Sequence, residues 1–393
     1  MNIPELSGLP GASTFAGAIR GIEAKVAGAI EDVDWVAVAQ NVDKSLNTGR
    51  IQYKTRRQAL RPTVVVPYRG WYANGVAHLM ARTIEKPLFT VGDMPMGMGR
   101  TLRANLRRFT VLTIADVTVS ASIGAVSGEF TSDADGYLHI ELAVGPLSPG
   151  WHVMDLDPVS GSVTHTTGRV LVTDPRGGLA VVSDIDDTIM KTGLTQGWMA
   201  AGRTLLRDVA DRKPVPGMST LYAGLARANG PGRGVPFFYV STGSWNLYDY
   251  LVAFTNMHRF PRGPLFLTDW GPTSDRIMRD GREHKRSTIR ALLDGMPEYS
   301  FILIGDVGQG DPETYEVMAR EYPGRIRAMI LVYVGSHLPE RIAEVSERAA
   351  NLREEGVPMY YVDNAVEAVT VAWQLGLVDQ STTAEVALEF EGR

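Results

Sequence analysis

Two aspartates separated by a single residue lie at the end of a short apolar run. Asp184 and Asp186 follow residues 179–182, a run that predicts a short buried strand ending near these carboxylates. Open α/β sheets bind ligands at the carboxyl edge of their strands. Two carboxylates at that edge suit a Mg²⁺ site, or a nucleophile beside a proton donor. The pair therefore indicates phosphoryl transfer through an aspartyl-phosphate.

Three further groups of residues fall at predicted strand ends or helix starts. Ser241 ends the apolar run VPFFYVS and precedes Thr242, at a place where a hydroxyl and the amides of a turn can hold phosphate oxygens. Lys285 lies on an apolar helical stripe, so its ammonium group is predicted to point inward. Asp306 and Asp311 belong to the sequence GDVGQGD, directly after the run FILI. Each group alone fits a turn, a helix cap or a solvated lysine, but their combination and order indicate a catalytic site.

The elements that would position these residues begin at residue 179. Apolar runs alternate with helical patterns from there on, which predicts an α/β fold with a parallel sheet covered by helices on both faces. Six runs are expected to be strands: LAVVSD, VPFFYVST, PLFLTD, FILIGD, RIRAMILVYV and PMYYVD. Residues 189–234 and 242–284 separate the motifs and are too few for a folded lid, so we expect a minimal cap. An open site of this kind suits a phosphate carried by a large molecule.

The rest of the chain divides by composition into further parts. Residues 1–61 are predicted to form a helical segment, whose apolar stripe either packs on the protein or lies on a membrane surface. Residues 62–174 contain short β-branched runs and are predicted to form a small antiparallel β-sandwich. Within it, alternating apolar residues after the turn DADG predict a hairpin. Residues 175–378 would form the α/β domain, and residues 379–393 a polar, frayed tail.

The composition excludes several classes of function. The chain has 393 residues, no cysteine and a formal net charge of −5. The lack of cysteine excludes disulfides, thiol catalysis and zinc–thiolate sites, and the negative charge provides no general attraction for nucleic acid. No apolar run approaches the roughly 20 residues of a membrane span, and the N-terminal residues lack the pattern of a secretory signal. We expect a cytoplasmic protein, with peripheral contact at a membrane as a further option.

The order of these motifs resembles that of the haloacid dehalogenase superfamily of Mg²⁺-dependent phosphatases. Longer stretches narrow the resemblance to the catalytic domain of the actin-patch phosphatidate phosphatase family. They cover roughly residues 179–335, in this order: VVSDIDDTIMKTG, KPVPGMSTLYAGLA, PFFYVSTGSWNLYDYL, FPRGPLFLTDWG, HKRSTIRALL and FILIGDVGQGDPETY. The resemblance implies a Rossmann-like parallel sheet of the haloacid dehalogenase type with a minimal cap.

The resemblance also implies roles for the acidic residues. Asp184 would be the nucleophile, and Asp186 would protonate the leaving alkoxide and later take a proton from water. The carboxylates of Asp184, Asp306 and Asp311 would hold Mg²⁺. The main-chain carbonyl of Asp186 would complete this set, and Mn²⁺ suits the same oxygen ligands. Thr188 would order the loop.

The substrate implied by the resemblance is phosphatidate, a phospholipid that would be hydrolysed to diacylglycerol and phosphate. Ser241, Thr242 and Lys285 would hold phosphate oxygens, and Lys285 would add positive charge where the transition state spreads negative charge. Two alternatives stay open: a phosphatase of soluble phosphomonoesters or phosphoproteins, and a lipid-binding or scaffold module without turnover. No oligomeric state follows from the sequence.

Overall fold

The computed structural model describes most of the chain from residue 62 onward. The described residues are 62–86, 113–159, 164–191, 212–268, 274–308, 310–335 and 339–391, with the side chains of 274–280 excepted. The predicted helical segment 1–61 lies outside these residues. The described part of the chain forms two β-sheets, and helices cover the second of them.

The first sheet is built from eight strands. They are β1 (Thr63–Pro67), β2 (Arg69–Ala73), β3 (Val76–Glu85), β4 (Thr118–Ile123), β5 (Val126–Thr131), β6 (Tyr137–Ala143), β7 (Gly150–Pro158) and β8 (Thr166–Val172). Their order is β1-β3-β2-β8-β7-β4-β5, and β6 pairs with β3. Among these described strands every pairing is antiparallel except that of β2 with β8, which is parallel. The sheet is therefore mixed, and the prediction of a wholly antiparallel arrangement is wrong. Alternating burial predicts which face a residue lies on, but it does not predict the direction of the neighbouring strand.

The hairpin predicted after the turn DADG is wrong. Leu138, Ile140 and Leu142 of β6 are buried, as their alternation predicts, but β6 pairs with β3 while β5 pairs with β4. A hairpin does join β2 to β3 through Asn74 and Gly75, whose φ angles are 51° and 82°. Asn-Gly is the pair that a two-residue hairpin turn of this kind favours. The partner of β6 depends on contacts distant in sequence, which a local pattern does not encode.

The second sheet contains six parallel strands, as predicted. They are β9 (Gly178–Ser183), β10 (Phe237–Ser244), β11 (Leu265–Thr268), β12 (Tyr299–Asp306), β13 (Ile326–Val332) and β14 (Met359–Val362). The order is β11-β10-β9-β12-β13-β14, so the chain moves outward in one direction from β9 and in the other from β12. The carboxyl ends of β9 and β12 thus form the crevice at which open α/β sheets bind ligands. The prediction of an α/β fold with a parallel sheet is confirmed.

Helices lie on both faces of this second sheet. They are α1 (Met218–Leu225), α2 (Tyr248–Met257), α3 (Ser274–Gly295), α4 (Asp311–Glu321), α5 (Pro339–Glu354), α6 (Ala365–Gln374) and α7 (Gln380–Glu391), with a 3₁₀ turn at Trp245–Leu247. α1, α2 and α6 share one apolar cluster with Val181 of β9. α3, α4 and α5 share another with Ala180 and Val182. Alternate residues of a central strand therefore reach two cores, which explains its continuous apolar sequence. Among the described helices, none is long and apolar enough to cross a membrane.

Residues 380–391 differ from the frayed polar tail predicted for 379–393. They form α7, in which Thr382 and Val386 are fully buried. The helix packs on α1, where a Cβ on Gly224 would lie 2.4 Å from the Thr382 methyl group. Thr220 adds a 2.7 Å hydrogen bond to the Glu389 carboxylate. The polar helix α7 packs on the protein through its few buried residues. Gly224 of α1, which has no side chain, leaves space for Thr382.

Aromatic residues join the first sheet to the second. Tyr68, between β1 and β2, stacks on Trp245 with ring centroids 4.4 Å apart and ring planes 11° apart. The main-chain N–H of Arg69 donates to the Tyr248 hydroxyl at 2.7 Å. Arg82 of β3 donates to the side-chain oxygen of Asn246. The first sheet thus contacts the turn that immediately follows β10.

Candidate active site

Three buried aspartates meet at the carboxyl ends of β9 and β12. Asp184 follows β9, Asp306 ends β12, and Asp311 begins α4. One carboxylate oxygen from each lies within 4.8 Å of those from the other two. Because β9 and β12 are adjacent parallel strands, residues after one and at the end of the other share one edge. The structure therefore brings together the three carboxylates that the sequence places at strand and helix ends.

Lys285 completes this cluster from the middle of α3. Its Nζ donates to Asp184 Oδ1 and to Asp311 Oδ1, both at 2.6 Å. The side chain is buried alongside Ile289, as its place on the apolar stripe predicts. Burial alone would lower the pKa of Lys285, but attraction to Asp184 and Asp311 outweighs burial and raises it. The lysine is therefore charged and fixed between two carboxylates.

The three buried carboxyl groups outnumber the one cation beside them, Lys285, so ionisation of all three is opposed. Burial raises the pKa of Asp184 to about 8, and repulsion from Asp311 and Asp186 adds to this, although Lys285 acts in the opposite direction. Burial, followed by repulsion from Asp311 and Asp184, also raises the pKa of Asp306 well above its usual range. Buried carboxylates in excess of their cations favour the binding of a further cation. Their hard oxygen donors suit Mg²⁺ or Mn²⁺, so the residues present fit a divalent ion.

A tight turn after β9 carries the remaining residues of the first motif. Thr188 Oγ1 donates to Asp184 Oδ2 at 3.2 Å, and Asp187 has a φ of 54°, in the left-handed region. The N–H groups of Ile189 and Met190 both donate to the Ile185 carbonyl at 3.1 Å. The turn therefore holds Thr188 against Asp184, and the role expected of this threonine in ordering the loop stays a prediction.

Asp186 faces Ser241 rather than the three-carboxylate cluster. Ser241 Oγ donates to Asp186 Oδ2 at 2.9 Å and accepts the Gly243 N–H at 2.9 Å. Burial raises the pKa of Asp186, while the Ser241 hydrogen bond lowers it. Thr242 accepts a hydrogen bond from Thr268 through its main-chain carbonyl at 2.7 Å. Asp186 and Ser241 are thus brought together, and the roles proposed for Thr242 and for the Asp186 carbonyl stay predictions.

Arg212 is a buried cation near Asp186 that no sequence pattern indicates. Only 3% of Arg212 is exposed, and its Nη1 donates to the Lys191 carbonyl at 3.2 Å. Its positive charge is one of the influences that lower the pKa of Asp186. Arg212 directly precedes the sequence KPVPG. No periodicity or motif spacing in this stretch distinguishes a buried arginine from a solvent-exposed one. Its importance follows only from the fold.

Residues 179–332 match the family described as "Phosphatidate phosphatase APP1, catalytic domain". This range begins with β9 and ends with β13, so it contains the carboxylate cluster, Lys285, Asp186, Ser241 and Arg212. The predicted resemblance to the actin-patch phosphatidate phosphatase family is confirmed for these residues.

Two yeast proteins are similar to the same part of the chain. Phosphatidate phosphatase APP1 of Saccharomyces cerevisiae is 30% identical over 181 residues, which are 45% of this chain and 30% of the yeast protein. An uncharacterised protein of Schizosaccharomyces pombe is 26% identical over 157 residues, which are 40% of this chain and 25% of that protein. The chain thus matches less than a third of the length of either relative.

Solved structures resemble the whole chain only distantly. A carbohydrate acetylesterase from Xanthomonas citri superposes with a TM-score of 0.29 and 10% sequence identity, covering 78% of this chain and 73% of that one. A likeness at this level carries no argument about the fold or the activity.

Proposed function

We propose that this protein is a phosphatidate phosphatase, which hydrolyses the phosphomonoester of a phospholipid and releases diacylglycerol and phosphate. The similarity to the yeast phosphatidate phosphatase supports a phosphomonoester hydrolase, and it supports phosphatidate as the substrate. One structural observation carries the proposal. Asp184, Asp306 and Asp311 converge with Lys285 in a buried cluster at the sheet edge where α/β proteins bind ligands.

We further propose that the site binds a divalent cation, Mg²⁺ or Mn²⁺. Asp184, Asp306 and Asp311 would hold it, with the main-chain carbonyl of Asp186 as a further ligand. When bound, the ion would neutralise the repulsion between these carboxylates and an incoming phosphate. The convergence of three buried carboxyl groups around a single lysine supports this part of the proposal.

Asp184 is the proposed nucleophile because both of its oxygens are already oriented. Lys285 bonds to Oδ1 and Thr188 to Oδ2, so little motion remains before attack. A carboxylate oxygen of Asp184 forms a bond to phosphorus, and the bond from phosphorus to the alkoxide breaks. Asp186 gives the alkoxide its proton, which its raised pKa favours, and then takes a proton from the water that hydrolyses the aspartyl-phosphate.

The remaining site residues would bind the phosphate. Lys285 provides a fixed positive charge beside Asp184, and Ser241 lies beside Asp186, so both can reach the same phosphoryl group. Thr242 follows Ser241 in β10 and would add a further donor. We also propose that the second sheet is of the haloacid dehalogenase type and carries a minimal cap. The protein would act on the cytoplasmic side of a membrane, at the surface where the phosphate of a phospholipid is accessible.

Phosphate release by the purified chain tests this function. We expect release from phosphatidate in mixed micelles with Mg²⁺ to exceed that from a soluble aryl phosphate, and to stop when EDTA is added. Asp184→Asn should abolish release without loss of folding, whereas the exposed substitution Asp135→Asn should leave it unchanged. Preference for the soluble ester would contradict the lipid substrate. Mg²⁺ binding without release from any phosphomonoester would point instead to a non-catalytic module.

A further inference from the structure

Arg212 is placed beside the first motif by main-chain hydrogen bonds on both sides of Met190. The Lys191 N–H donates to the Lys213 carbonyl at 3.1 Å, and the Val215 N–H donates to the Ile189 carbonyl at 3.0 Å. Residues 212–215 therefore run beside residues 189–191, directly after the turn that holds Asp184, Asp186 and Thr188. This pairing places the main chain of Arg212 beside the first motif, and the guanidinium group bonds to the Lys191 carbonyl at 3.2 Å.

The guanidinium group has unused donors inside the protein. Its Nη1 bonds to the Lys191 carbonyl, but within the described part of the chain neither Nε nor Nη2 has a hydrogen-bond partner. A buried donor without a partner carries a desolvation cost, most of all on a charged group. Nε and Nη2 lie on the same edge of a guanidinium group, and together they match two oxygens of one phosphate or carboxylate.

The charge balance of the site also calls for a second cation. The four carboxylates of Asp184, Asp186, Asp306 and Asp311 face one lysine, and Lys285 already donates to two of them. Lys285 and a divalent ion together would balance the three-carboxylate cluster, so the charges of Asp186 and of a bound phosphomonoester would still lack a cation. Arg212 supplies positive charge on the Asp186 side of the site.

We propose that Arg212 is a substrate-binding residue, whose Nε and Nη2 donate to two oxygens of the phosphate group of the phosphomonoester. This inference rests on the proposed function and adds to it a residue that binds the phosphate beside the proton donor. Ser241, which donates to the Asp186 carboxylate, would contact the phosphate from β10. The phosphate would then lie between two cationic side chains, Arg212 and Lys285.

Binding of inorganic phosphate to the full chain with Mg²⁺, measured by titration calorimetry, tests the proposal. Arg212→Gln should weaken phosphate binding between about ten- and about a hundred-fold, the effect of losing hydrogen bonds to a charged group, and should raise KM by a similar factor. Arg212→Lys keeps the charge but loses the paired donors, so its affinity should be intermediate. The neighbouring exposed Lys213→Ala removes the same charge and should change neither value.

The outcomes separate this inference from the proposed function. Wild-type affinity and KM in a folded Arg212→Gln variant would overturn the inference, as would a wild-type chain that binds no phosphate. If Arg212→Gln does not fold, Arg212→Lys decides, and unchanged affinity in that variant counts against the inference. A purely structural role would lower the melting temperature without changing phosphate affinity. If Arg212-dependent phosphate binding is found but no phosphomonoester is hydrolysed, the proposed function fails while this inference stands.

Discussion

Asp184 is restrained by three separate hydrogen bonds. Lys285 and Thr188 bond to its two carboxylate oxygens, and its own main-chain N–H donates to the Ile304 carbonyl at 2.8 Å. Rotation of the carboxylate would therefore break at least one bond. Such restraint lowers the cost of reaching the geometry for attack, because the orientation is established on folding. The same arrangement confines negative charge in a buried site, which reduces the stability of the protein while no cation is bound.

Asp306→Asn should stabilise the metal-free protein and abolish its response to Mg²⁺. Burial and neighbouring carboxylates raise the pKa of Asp306, so folding opposes the ionisation of this group, and an asparagine, which does not ionise, avoids a cost of about 1 kcal/mol or more at neutral pH. The amide oxygen can still accept the Gly308 N–H, which donates to the wild-type carboxylate at 2.8 Å. Thermal unfolding after EDTA treatment, with and without added Mg²⁺, measures both effects.

The unfolding test of Asp306→Asn has wild type and Asp135→Asn as controls. Wild type should unfold at a higher temperature with Mg²⁺ through mass action, and Asp135→Asn, at an exposed position, should behave as wild type does. A lower melting temperature for metal-free Asp306→Asn would contradict our description of the cluster as a site of unbalanced negative charge. An undiminished Mg²⁺ response in that variant would remove Asp306 from the ligands.

Single residues were predictable where they follow or end a strand. Asp184 and Asp306 lie next to apolar runs, and parallel strands deliver such residues to one edge, so their convergence could be predicted. Lys285 was predictable from the 3.6-residue period of its helix. Arg212 was not, because its place depends on main-chain pairing between segments distant in sequence. Its sequence neighbourhood is that of an ordinary solvated cation.

At the scale of elements, α7 depends on a glycine in another helix. The Thr382 side chain lies over Gly224 of α1, and Thr382 also accepts a 3.1 Å hydrogen bond from Arg227. Asp379 caps the start of α7 by accepting the Thr382 N–H at 2.8 Å. The contact is close because Gly224 has no Cβ. The packing of the last helix thus rests on a few buried residues within a polar sequence.

Gly224→Ala should destabilise the protein although alanine favours helices. The new Cβ would lie 2.4 Å from the Thr382 methyl group, so α7 must shift, at a cost of about 1–3 kcal/mol. Gly234→Ala is the matched control, because nothing lies within 4 Å of its Cβ, and that change should be neutral or slightly stabilising. Urea unfolding of the two variants gives the comparison. Equal or greater stability for Gly224→Ala would show that α7 does not pack on α1 in this way.

The elements of the second sheet could be predicted better than those of the first. Six continuous apolar runs predicted its six strands, because a strand that is buried on both faces is apolar along its whole length. In the first sheet, alternation identified the buried face of β6 but assigned the wrong partner. The tail at residues 379–393 was misjudged because few of its residues are apolar, and the helix depends on Gly224 for space.

At the scale of the whole molecule, the first sheet supports the turn after β10. Tyr68 packs among the apolar residues of the second sheet's core and stacks on Trp245. Tyr68 also lies 4.4 Å from the ring of Tyr248, centroid to centroid. The last four residues of β10, from Ser241 to Ser244, lie immediately before Trp245. Contacts from the first sheet therefore help to position the segment that carries Ser241.

Tyr68→Ala should reduce both stability and turnover. The side chain is buried between the two sheets, and its loss should cost about 3 kcal/mol or more, as for other large aromatic residues in cores. Tyr72→Ala is the comparison, because Tyr72 bonds to the Gly145 carbonyl within the first sheet, at 2.7 Å. Tyr72→Ala should lower stability but leave kcat of the folded enzyme intact. Full kcat in folded Tyr68→Ala would mean that the first sheet does not position the end of β10, which carries Ser241.

The organisation of the whole molecule was only partly predictable. Composition separates a β-rich part from an α/β part, and both kinds of structure are present on the expected residues. The boundary at residues 174 and 175 stays a prediction. Contacts such as that of Tyr68 with Trp245 join residues far apart in sequence, and no local pattern identifies them.

The most direct measurement is the detection of a phosphoryl group on Asp184 during turnover. The full chain would be mixed with phosphatidate and Mg²⁺, quenched with acid on the millisecond scale, and digested for peptide mass spectrometry. Our account predicts a phosphorylated peptide in which the modification lies on Asp184, and none from Asp184→Asn. Rapid phosphate release with no phosphoryl group on Asp184, or with the group on another residue, would contradict it.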